Sequence, residues 1–163
     1  MELFFKKVLI LNKYEESDVI QNIKKYGFHI VKVLEEEELP AFVYTVGFNK
    51  IYNHPEVIIS GLSLDIAETI LNDIANNIKQ GTTYTSNCEY EDIIQNYKCF
   101  FLEVDKKKYN NYLGRAIWFY QNSNFETLQC VWPDRNRKYP WQVEFGPNLI
   151  SKQEILGDAT KLV

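Results

Sequence analysis

The feature that most constrains this chain is a run of isoleucines at fixed spacing, Ile66, Ile70, Ile74 and Ile78, joined by Ala67 and Leu71. That pattern marks one apolar face of a helix. Ser63 is placed to cap it, Asp65 and Glu68 lie near its start, and Lys79 and then Gly81 follow at its end, as the macrodipole and C-cap preferences require. Such a helix needs an apolar surface to lie against. Five segments supply it: Phe28–Leu34, Ala41–Gly47, Val57–Leu62, Lys98–Val104 and Phe125–Trp132 are rich in β-branched and aromatic residues and bounded by turn formers. The first two, on either side of the Glu35–Glu38 carboxylate run and Pro40, read as a hairpin. Tyr14–Tyr26, with Val19, Ile20 and Ile23 as its stripe and Gly27 to end it, reads as a further helix. Lys108–Tyr120 is another, with Tyr109, Tyr112, Leu113, Ala116, Ile117 and Tyr120 on one side. The segment through Asn87 reads as a polar loop, and the tail from Pro147 as a short helix or an arm. Hairpin signals mixed with helices specify an α+β fold: a mainly antiparallel sheet of about five strands with about three helices packed on one face.

At 163 residues the chain suits a single domain over 1–163. A chain of this size buries roughly 68–70% of its unfolded surface, enough for a core without metals or disulfides. With 45% hydrophobic and 25% charged residues, disorder and disulfide scaffolds are excluded. Cys88, Cys99 and Cys130 are scattered, with no Cys-x-x-Cys pair, which fits a reducing compartment and a cytoplasmic location. The segment Met1–Leu11 lacks the pattern of a signal peptide and is too short to cross a bilayer. Aromatics make up 15%, including 11 Tyr. Tyrosine suits half-wet surfaces such as interfaces, although an AT-rich coding sequence produces the same surplus.

Of the two histidines, His29 lies in the first strand, and His54 sits on a turn, in Tyr-Asn-His-Pro-Glu, two residues before Glu56. His54 and Glu56 are therefore the candidate general base and orienter, with Asp134 as a third candidate. The competing interpretation makes His54 and Asn53 partners of the turn backbone ahead of Pro55, and it is favoured because no nucleophile stands nearby. Cys99 and Cys130 lie in apolar strands, where a thiol is inert. No metal-ligand spacing and no phosphate-binding glycine loop is present, so neither a metal nor another cofactor is expected. The densest unusual segment, Val131–Gly146, puts Arg135, Arg137 and Lys138 beside Trp132, Tyr139 and Trp141. Basic and aromatic residues together can grip single-stranded nucleic acid. Against that, the chain carries 22 acidic and 18 basic residues, net −4, which disfavours nucleic acid. A structural loop, in which Trp132 and Trp141 close the sheet edge and Asp134 caps the turn or pairs with Arg135 or Arg137, explains the segment better.

Taken together, Gly27-Phe28-His29, Pro40 to Phe48 with its Tyr-Thr-Val-Gly-Phe core, His54-Pro55-Glu56, Trp132-Pro133-Asp134 and Pro140-Trp141 resemble a bacterial domain-of-unknown-function family, number 4262. The resemblance covers about residues 27–146 and leaves 147–163 as a tail; the family's glycine after Trp-Pro-Asp is absent between Arg135 and Lys138. It implies a small bacterial α+β protein and no particular reaction. Within the motifs, Tyr44 and Val46 share one strand face and Thr45 takes the other. If Thr45, His54, Glu56, Asp134 and Trp141 meet at one sheet end, they form a polar pocket with aromatic walls.

Two expectations follow. In the first, the chain is a protein-interaction module such as an immunity-type inhibitor of a toxin, its acid excess, including Glu35–Glu38 and Glu89, Glu91 and Asp92, attracting a basic partner protein. In the second, it is a small-molecule-binding domain or enzyme using a His54/Glu56 pocket, with Tyr44, Thr45, Trp132, Arg135 and Trp141 as binding residues. Neither expectation involves a membrane.

Overall fold

A computed structural model describes residues 16–37 and 39–162. The expectations for the N-terminal segment 1–11 lie outside the described residues, as does the expectation that the first helix takes in Tyr14 and Glu15. A helix over 16–26 (α1) ends where Gly27, at φ 89°, donates its N–H to the Ile23 carbonyl at 2.9 Å. It leads into β1 (His29–Val33), β2 (Phe42–Val46), the single-turn α2 (Phe48–Tyr52), β3 (Glu56–Ser60) and the long α3 (Leu64–Lys79). There follow β4 (Cys88–Ile94), β5 (Tyr97–Glu103), α4 (Tyr109–Tyr112), α5 (Gly114–Tyr120) and β6 (Thr127–Val131).

The strands form one six-stranded sheet in the order β1-β2-β3-β6-β5-β4. Every pairing is antiparallel except β3 with β6, where Glu56 stands opposite Thr127 and Ile58 opposite Gln129. All five expected strands are present, and the first two form the expected hairpin. The sixth, β4, begins at Cys88, just past the polar loop through Asn87, in a stretch to which the sequence assigned no element. Its pattern is mostly exposed, with Glu89, Glu91 and Asp92 carrying no apolar alternation for a sequence reading to detect.

The helices do not share one face. Beneath α3 lie Val43, Val57, Ile59, Cys99, Phe101, Leu128, Cys130 and Trp132. The opposite face, with Phe42, Tyr44, Val46 and Ile58, is covered by Val19 and Ile23 of α1 and by Tyr109, Tyr112, Leu113 and Ala116 of α4 and α5. The fold is therefore α+β with the sheet between two helical layers. Its polarity explains the correction: strands that read as all-buried (β2, β3 and β6) have no wet face and need cover on both sides. The expected helix over 108–120 breaks at Leu113 (φ −117°, ψ 32°), turning one apolar stripe into two short helices.

The tail is an arm, not a regular helix. It carries short 3₁₀ turns at Pro147–Leu149 and Thr160–Leu162 and runs across the outer half of the second face. There Tyr139, Trp141, Ile155, Ala159 and Leu162 cover Phe100, Leu102 and Val131.

Candidate functional site

The signature residues gather mostly where β2 ends and β3 begins. Gly47 takes φ 114°, a left-handed conformation open to glycine, and this turns β2 directly into α2. The turn aims backbone N–H groups at the first residue of β3. Glu56 Oε1 accepts from Gly47 N at 2.8 Å and from Asn49 N at 3.4 Å, and Oε2 accepts from the Thr45 hydroxyl at 2.7 Å. Tyr120, at the end of α5, donates its hydroxyl to Oε1. Thr45 Oγ1 in turn accepts from Val57 N at 3.0 Å, so one hydroxyl joins two strands and the carboxyl.

Glu56 has no exposed surface. Burial pushes its carboxyl up to about 7, against the four donors, which favour the charged form. The same burial, with the neighbouring carboxylate, drives the Tyr120 hydroxyl well above the usual tyrosine range.

His54 does not pair with Glu56. Its Nδ1 lies 2.7 Å from the Pro55 carbonyl, to which it donates, and its Nε2 accepts from Tyr84 N at 3.0 Å. Those two bonds fix the neutral tautomer, and burial lowers its pKa. Its ring stands edge-on between Phe48 and Tyr84, with centroids 6.1 and 6.0 Å away. With the lone pair engaged by a backbone N–H, His54 has no free nitrogen to take a substrate proton. It ties the loop after α3 to the head of β3.

Asp134 is elsewhere. Because β3 and β6 are parallel, Glu56 and Thr127 mark one end of the sheet, while Asp134 follows Val131 at the other. The separation is at least the length of β6, roughly 13 Å at the usual rise per residue. Asp134 accepts from the backbone N–H groups of Asn136 and Lys138, both at 2.9 Å, and of Gly146 at 3.0 Å, closing the 134–146 loop without an arginine. Trp132 donates Nε1–H to the Ser60 carbonyl at 2.7 Å and is buried under α3; it does not close an edge. Trp141 packs on Phe100 and Tyr139, each 5.0 Å between centroids. Arg135 is exposed. Tyr44 is buried, and its hydroxyl accepts from Arg115 N at 3.0 Å. The five-residue pocket does not assemble: Thr45 and Glu56 meet with His54 nearby, and Asp134 and Trp141 belong to the far end.

What the sequence reading missed is Tyr120, which looked like one more member of a helical stripe. The acid excess at Glu89, Glu91 and Asp92 was noted in the sequence, but not its placement along an edge strand. There Glu89, Glu91 and Asp92 stand exposed beside Lys98, and a cleft of about 560 Å³ opens between this hairpin and Pro133, Arg137 and Tyr139. Lys98 Nζ lies 3.5 Å from Glu91 and 4.0 Å from Glu89. The available signal was the run of carboxylates at Glu89, Glu91 and Asp92, which marks an exposed surface but not a strand.

Among the described residues no cluster of three or more His, Cys, Asp or Glu gathers to hold a metal, and no helix is long and apolar enough to cross a membrane. The thiols of Cys99 and Cys130 are buried, and Cys130 is held high by its hydrogen bond to Cys99 and by burial.

No curated protein and no solved structure matches the chain. A family model does, over residues 22–146, and those residues hold both the Thr45–Gly47–Glu56 knot and the Asp134-capped loop. The chain belongs to the family described as Domain of unknown function (DUF4262).

Proposed function

We propose that this protein is a protein-interaction module, in its most concrete form an immunity-type inhibitor that binds and neutralises a basic toxin. One observation carries the reading: β4 is an edge strand with no second neighbour among the described residues, and Glu89, Glu91 and Asp92 are exposed along it. A negative edge on a chain of net charge −4 raises the encounter rate with a positive partner. The enzyme reading built on His54 and Glu56 has no comparable support, because both His54 nitrogens are engaged by backbone groups and Glu56 is enclosed.

The test is affinity capture from the source cells with the intact chain, followed by native mass spectrometry and reconstitution with the purified companion. The expected result is a stoichiometric basic protein whose association constant falls as salt rises. If the companion is a toxin, its activity falls on binding. A retained small molecule in place of a protein, released on denaturation, overturns the reading.

A further inference from the structure

The acidic edge does not stand alone. On the α3 side of β4, Leu62, Ile66 and Ile70 face Ile93 and Ile94 across an apolar groove of about 410 Å³, rimmed by Asp65 and Asp73. Ile66 is 55% exposed, although it opens the isoleucine run that defines the helix. Ile94 lines this groove and also the acidic cleft on the other face of the hairpin, so the two are continuous around the strand end. The surface thus has a greasy centre and five carboxylates around it: Asp65, Asp73, Glu89, Glu91 and Asp92. Lys98, already between Glu89 and Glu91, and Arg137 are the cations of the cleft.

Resting on the interaction reading above, we infer that this surface docks a basic, amphipathic segment of a partner protein, with an apolar side chain in the Ile66–Ile94 groove and lysines or arginines against the flanking carboxylates. Charge complementarity selects that occupant. The geometry of β4 also selects the manner of docking. The ladder to β5 is interrupted between Tyr90 and Ile94, where Asp92 sits at φ 65°. A bulge of that kind spoils an edge for adding another strand, so side chains rather than a continued sheet hold the partner.

The probe is a phage-displayed library of random dodecapeptides selected against the whole protein, with enriched peptides then measured in solution. Enriched sequences carry an apolar residue flanked by Lys or Arg. Ile66→Asp and Glu91→Lys each weaken their binding about tenfold, the scale of a central interface residue. Glu35→Lys, an exposed position by the opposite edge that makes the same change in net charge as Glu91→Lys, leaves binding within about twofold, as expected for a rim charge. No enrichment, enrichment of neutral or acidic peptides, indifference to Ile66→Asp, or equal loss from Glu35→Lys and Glu91→Lys each overturns the inference. Failure of the broader reading is seen separately: a captured protein that binds Ile66→Asp and Glu91→Lys as well as the parent chain moves the interface elsewhere and leaves the interaction role intact.

Discussion

Glu56 shows how a residue can look catalytic in sequence and be architectural in space. The spacing His-Pro-Glu put a base and a carboxylate two residues apart, yet the carboxyl faces Thr45, Gly47, Asn49 and Tyr120 while the imidazole faces Pro55 and Tyr84. The Pro55 carbonyl is local, as the turn reading of His54 expected. The other partners come from β2, the turn into α2, α2 itself, α5 and the loop after α3, where no local reading could find them. The chemistry of the site is a balance between two opposing effects on one group. Burial favours the neutral carboxyl and the four donors favour the anion; burial wins, at about 7 against an ordinary 4.5. A raised carboxyl stabilises the fold fully below about 4.5, where both states are protonated, and that contribution is lost as pH rises through about 7. The loss is of order 3 kcal/mol for a shift of this size. His54, whose pKa is lowered, runs the other way: its contribution is present above its unfolded value of 6.5 and is lost as pH falls below it. Comparing the parent chain with Glu56→Gln separates the two, because His54 is common to both. Urea unfolding from pH 4 to 8 should show the parent losing stability relative to Glu56→Gln as pH rises through this window. Parallel curves would mean that the four donors offset burial and the carboxyl titrates in the native state as it does in the unfolded chain.

At the scale of elements, the long helix was the most legible feature and also the source of an informative error. Ile66, Ile70, Ile74 and Ile78 are spaced by four, whereas a helix turns every 3.6 residues, so each step drifts about 40°. Ile70, Ile74 and Ile78 stay on the buried face, and Ile66 is carried off it into the groove beside β4. The strands β1, β2, β3, β5 and β6 were legible because buried strands need apolar side chains. The β4 strand was not, because an exposed edge needs none, and α2 was not, because one turn has no period. The tail is the clearest case of an element specified by tertiary contacts alone. Gln153 accepts from Trp132 N at 3.0 Å and donates to the Trp132 carbonyl at 2.8 Å, behaving as a substitute strand residue, and Gln129 accepts from Leu156 N at 2.9 Å. Replacing Gln153 with Ala leaves a buried N–H and C=O without partners, a cost of about 3 kcal/mol. Chemical denaturation should show that loss with an unchanged far-ultraviolet spectrum. A change below about 0.5 kcal/mol would show that the arm does not need this clamp.

For the molecule as a whole, the sheet grades from a dry centre to a wet edge. β3 and β6 are buried at every position and paired on both sides, whereas β4 is mostly exposed, bulged and, among the described residues, paired only with β5. Local opening follows that gradient, since edges with few apolar contacts open below the global unfolding free energy. Amides of Glu89 to Asp92 should therefore exchange with deuterium through local opening, largely insensitive to low denaturant. Those of Val57 to Ile59 and Leu128 to Cys130 should exchange only through global unfolding. The gradient also bears on binding. A partner that covers Ile66 and Ile94 adds a second layer to the least stable strand, and the ordering of that strand draws on the binding free energy. Addition of a peptide selected by the intact chain should then slow exchange in β4 and the first turns of α3, and leave the central strands unchanged. Equal protection of β4 and β3 in the free protein would contradict the gradient. Slowing confined to the β1 edge would put the functional surface on the other side of the sheet.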